Sequence, residues 1–124
     1  MGHHLFKIGT SVFPMHDGDV ELVRHFLIVG AKDVGLPELA LSVDRWEWQG
    51  PGVWIHIDMA PLARHPIVFD AAVRSVERLG DVVDVPYLNT QLRRFGMEWR
   101  VAQKVSRIVE RLRGLRAHVQ RGGA

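Results

Sequence analysis

The chain has 124 residues, 47% of them hydrophobic and 24% charged, with no cysteine and a formal net charge of +2. That length suffices for one domain with an unstapled core, and the composition is globular rather than disordered. The lack of cysteine excludes disulfides, thiolate metal sites and cysteine nucleophiles, and the longest apolar stretch, Phe26 to Ala31, falls far short of the ~20 residues of a membrane span.

Leu5 to Phe13 reads as a first strand, ended by Pro14. His16-Asp17-Gly18-Asp19 reads as a turn in which either aspartate caps a following helix, because its carboxylate accepts from free N–H groups of the first turn. Val20 to Val29 fits that helix, with Val20, Val23 and Leu27 on one face. Gly35 and Pro37 break the pattern.

Leu39 to Met59 reads as a hairpin about Gly50-Pro51-Gly52. With Pro51-Gly52 as the turn, Trp46, Trp48, Val53, Ile55, Ile57 and Met59 share an apolar face. Arg45, Glu47, Trp54, His56 and Asp58 share the other, with Glu47 opposite His56 and Arg45 opposite Asp58. Pro66 to Leu79 is a helix with an apolar stripe of Val68, Ala72, Val76 and Leu79, and Gly80 is placed to end it. Val82 to Val85 reads as a short strand stopped by Pro86. From Asn89 or Thr90 a helical region runs to about Val119, with Gly96 and Gly114 as weak points.

The expected order is β-α-β-β-α-β-α. The expected fold is α+β: a small, mainly antiparallel sheet of three to four strands, two packed helices and a long basic C-terminal helix. Residues 1–88 form an acidic body and residues 89–124 a basic amphipathic segment of the same domain. Residues 1–89 carry 7 Lys/Arg against 12 Asp/Glu, whereas residues 90–124 carry 9 against 2. That asymmetry points to an electrostatic partner for the C-terminal segment: nucleic acid, an acidic protein face, or the body of another copy.

The C-terminal helix holds the clearest pattern. Val101, Val105, Ile108, Leu112, Leu115 and Val119 follow heptad spacing and form one apolar seam. Arg100, Lys104, Arg107, Arg111, Arg113 and Arg116 lie off it. The seam either packs on the domain's own body or meets a partner helix in an oligomer. As partner-binding residues we take Arg100, Lys104, Arg107, Arg111, Val101, Val105, Ile108, Leu112 and Leu115, with Trp54, the one tryptophan on the polar hairpin face.

Residues 89–112 also resemble a helix-turn-helix. A short first helix would end near Gly96, and a second would present Trp99, Arg100, Gln103, Lys104 and Arg107 to a groove. Leu92 departs from the small residue expected at the helix crossing, and Met97-Glu98-Trp99 is an unusual turn. Glu47, His56 and Asp58 are weak metal or proton-transfer candidates, since further ligands cannot be placed from the sequence. No glycine-rich phosphate loop, dinucleotide fingerprint, nucleophile elbow or zinc spacing occurs.

The expectation is thus a non-catalytic interaction or assembly protein without a cofactor. It would be a subunit of an oligomer or larger complex, such as a virion component or an immunity-type inhibitor. Its partner is a protein or a second copy, and nucleic acid is the alternative. A small metal-dependent enzyme centred on Glu47, His56 and Asp58 is a further alternative. The N-terminal residues show no leader pattern, so a cytoplasmic location without membrane contact is expected.

Overall fold

The computed structural model describes residues 3–8, 11–45, 55–83 and 104–122. In chain order the elements are strands β1 (His3–Ile8) and β2 (Ser11–His16), helices α1 (Asp17–Asp33) and α2 (Pro37–Asp44), strand β3 (Ile55–Asp58), and helices α3 (Ala60–Ala63), α4 (Ile67–Val83) and α5 (Val105–Gly122). Five helices make up most of the described residues, and this overturns the sheet-based α+β expectation. The strands form only a short mixed array in the order β2-β1-β3.

The first run is two strands rather than one. β1 and β2 pair antiparallel, with Ile8 opposite Ser11 and Leu5 opposite Pro14. Pro14 therefore lies inside a strand and does not end one. β2 is at the edge of the array, where a residue with no N–H is tolerated. The turn expected at His16 to Asp19 is instead the start of α1. The residue at the N-cap position is His16, whose Nδ1 accepts from the Gly18 N–H at 3.2 Å, and it precedes both aspartates.

α1 ends where Gly35 takes φ +77°, a conformation that costs other residues steric strain. The Gly35 N–H donates to the Lys32 carbonyl at 3.1 Å and the Leu36 N–H to the Ala31 carbonyl at 2.8 Å. This pairing satisfies two of the helix's last carbonyls. Pro37 then opens α2, because its missing N–H and fixed φ suit a first helical position. Leu39, Ala40 and Val43 are the buried side of α2. Arg24 of α1 donates to the Val43 carbonyl at 3.3 Å and also to the Asp44 carbonyl, which covers free acceptors at the end of α2.

The hairpin expected over 39–59 is thereby overturned in its first arm. Residues 39–44 are helical, Arg45 is the C-cap of α2, and Arg45 cannot face Asp58 as a strand partner. Trp46, Glu47, Trp48, Val53, Trp54 and the Gly50-Pro51-Gly52 turn lie outside the described residues. The second arm is a strand, β3, but its partner is β1 and the pairing is parallel, with Leu5 opposite His56 and Lys7 opposite Asp58.

The stripe read from α4 holds: Val68, Ala72 and Val76 are fully buried and Leu79 packs against the same core. Gly80 does not end the helix, which continues to Val83, so the strand expected at 82–85 is absent at its first two residues. A helix held by packing on both sides tolerates one interior glycine at a cost of about 1 kcal/mol. α1 crosses α4 at Gly30, where an added Cβ would lie 2.6 Å from the Val68 carbonyl oxygen and 3.0 Å from the Ala72 nitrogen. Glycine is what lets the two backbones approach this closely. Phe6 of β1, Met59, and Leu62 of α3 complete the core beneath α5.

Candidate interaction surface

α5 meets the rest of the chain through the seam read from its sequence. Ile108, Leu112, Leu115 and Val119 are buried in the core, and Val105 packs at its margin. Each such side chain contributes about 2 kcal/mol by leaving water. The seam thus faces α4, α1, α3 and the two N-terminal strands of its own chain. Ile108, Leu112 and Leu115 are consequently turned into the core of their own chain, whereas Val105 is only partly buried. Gly114 sits under Phe13 of β2, with 3.3 Å between its ideal Cβ and Phe13 Cζ, and does not interrupt the helix. His118 lies beside the same ring, 5.7 Å between centroids. Val101, Arg100 and Trp54 lie outside the described residues, as do residues 89–103, which carry most of the helix-turn-helix resemblance.

With the seam turned inward, the basic residues of α5 fall along its two flanks. On one flank, Arg107 and Arg111 converge on Asp19, in the first turn of α1. Arg107 donates to Asp19 Oδ2 from Nε at 3.1 Å and from Nη2 at 2.9 Å, and Arg111 donates from Nε at 3.4 Å. The Asp19 side chain is 3% exposed, whereas those of Arg107 and Arg111 are 51% and 39% exposed. A carboxylate this buried requires charged partners, and its place near the N-terminus of α1 adds the favourable end of the helix dipole. Lys104 lies exposed just before the helix begins.

On the other flank, Arg116 Nε lies 3.3 Å from Asp70 Oδ1, and Arg113 Nη2 lies 4.0 Å from Glu77 Oε1, both carboxylates belonging to α4. The basic helix expected to meet an acidic partner therefore meets carboxylates of its own chain first. α5 is clamped by charge on both sides of its buried seam. Asp19 is the residue that sequence reading missed as a site. It falls four residues before Val23 and eight before Leu27, on the inward stripe of α1. A carboxylate in that position signals a cation elsewhere in the fold.

His56 and Asp58 lie in β3 and Glu47 lies outside the described residues. Among the described residues, no group of three or more His, Asp or Glu side chains is placed to hold a metal ion. No helix among them is long and apolar enough to cross a membrane. Comparison with known proteins gives no matching family model, no matching curated protein and no matching solved structure. The functional reading therefore stands on residues and geometry alone.

Proposed function

We propose that this chain is a non-catalytic protein-interaction domain that presents the Lys104–Arg107–Arg111 flank of its C-terminal helix to an acidic surface on a protein partner. One observation carries the reading. Arg107 and Arg111 are held by a buried carboxylate while 51% and 39% of their side chains stay in water. A guanidinium carries five donors in a rigid fork, and Asp19 Oδ2 takes only some of them. The ordering entropy of those side chains is lost on folding, so a partner's carboxylates meet donors that are already oriented. A simple charge tail would lack that preparation, and its affinity would be unspecific.

The test is a fluorescence anisotropy titration of a labelled poly-glutamate peptide and of a labelled DNA duplex of matched charge. The expected result is saturable peptide binding that Lys104→Glu weakens by about fivefold, as reversal of one exposed charge does. Arg107→Lys, which keeps the charge but removes the fork, weakens it as well. Tighter binding of the duplex, with a steep salt dependence, replaces this reading with nucleic-acid binding. Binding of neither probe refutes it.

A further inference from the structure

A groove of about 440 Å³ runs between α4 and α5, away from the Asp19 flank. Arg74 of α4 and Arg113 and Arg116 of α5 line it, with Gln120 at one side. Val73 and Ala117 give it apolar wall, and Asp70 is the one acidic residue of the lining among the described residues. Among the described residues the lining therefore carries three guanidinium groups and one carboxylate, with Glu77 at the limit of an ion pair from Arg113.

That carboxylate does not satisfy them. Arg116 Nε is buried and makes no hydrogen bond, although Asp70 Oδ1 lies 3.3 Å away. Arg113 stands 4.0 Å from Glu77, at the limit of an ion pair. Arg74 is exposed and makes no hydrogen bond or ion pair among the described residues. The Asp70 and Glu77 pairs hold Arg116 and Arg113 against α4 but leave most of their guanidinium donors unused.

We propose that this groove is a binding site for a phosphate group carried on a small organic molecule. A phosphate monoester carries between one and two negative charges near neutral pH and offers three acceptor oxygens to the guanidinium donors that Asp70 and Glu77 leave unused. A carboxylate offers only two oxygens, one fewer than the arginines that line the groove. The volume suits a small ligand, and Val73 and Ala117 offer contact to its organic part. The site uses none of the residues on the Lys104–Arg107–Arg111 flank, so it stands or falls separately from the protein-interaction reading.

Isothermal titration at constant ionic strength, with phenyl phosphate, inorganic phosphate and benzoate as probes, tests the proposal. Phenyl phosphate binds with 1:1 stoichiometry, and tighter than either other probe. Arg74→Gln and Arg113→Gln each weaken it by about tenfold, the usual effect of removing one charged hydrogen-bond donor. Both side chains are exposed, so the variants keep the fold, which circular dichroism verifies. Lys104→Gln leaves the affinity unchanged. Inorganic phosphate bound as tightly as phenyl phosphate removes the organic part of the proposal. Benzoate bound as tightly overturns the phosphate assignment. No saturation, or equal loss with Lys104→Gln, overturns the site itself. A DNA duplex that displaces phenyl phosphate and binds more tightly turns the groove into part of a nucleic-acid surface and overturns the small-molecule assignment.

Discussion

Replacing Asp19 by asparagine probes the clamp that holds α5 to α1. The substitution keeps the shape of the side chain and one acceptor oxygen but removes the charge from a group that is 3% exposed. Three donors, two from Arg107 and one from Arg111, address a single oxygen of that carboxylate. Hydrogen bonds to a charged group contribute about 1.5–3 kcal/mol, and breaking a fully buried pair costs about 3–5 kcal/mol. Both arginines are more than a third exposed, so water recovers part of the loss and the larger figure does not apply. Loss of a favourable charge near the helix N-terminus adds about 0.5 kcal/mol. The expected destabilisation is about 2 kcal/mol, or a drop of about 8 °C in Tm for a domain of this size. Urea unfolding followed by circular dichroism reads it. A cycle with Arg107→Ala isolates the pair, with an expected coupling of about 1–2 kcal/mol. A change below about 0.5 kcal/mol for Asp19→Asn, or additive single variants, refutes the clamp.

Two glycines give further checks by the same unfolding assay. Gly30→Ala places a Cβ 2.6 Å from the backbone carbonyl of Val68. Helix propensity favours alanine by about 1 kcal/mol, so a net loss of about 2 kcal/mol identifies the α1–α4 contact as the cause, and a gain in stability contradicts that contact. Gly35→Ala meets open space, yet φ is +77° there. It is expected to cost about 1 kcal/mol, and a neutral result refutes the strained helix end.

What the sequence made legible was periodic packing. The stripes of α4 and α5 repeat at helical spacing over several turns, and the burial of Val68, Ala72, Val76, Ile108, Leu112 and Leu115 follows from them. Shorter elements were ambiguous. Leu39, Leu41 and Val43 alternate as a strand would, but Pro37 two residues earlier is also a helix-start signal, and α2 forms there. Leu41 is 53% exposed, so the alternation never marked a buried strand face. Proline and glycine misled once each: Pro14 sits in an edge strand, where its missing N–H is tolerated, and Gly80 lies inside a helix whose packing outweighs local preference.

The interaction surface was half legible. Charge counting found the basic helix and the acidic body, but no count reveals that Asp19, Asp70 and Glu77 face Arg107, Arg111, Arg116 and Arg113 within one chain. The groove between α4 and α5 was invisible, because Arg74 joins the two C-terminal arginines only after helices some 40 residues apart have packed side by side.

The claim on which the rest depends is that α5 closes the core of its own chain and leaves only its charged flanks to meet a partner. Light scattering on a sizing column, at low and at high salt, tests it directly. The expected mass is that of one chain, 14.1 kDa, under both conditions. A dimer that persists at high salt and dissociates on Leu112→Ala, while the variant monomer stays folded, would show the seam shared between copies and contradict the account.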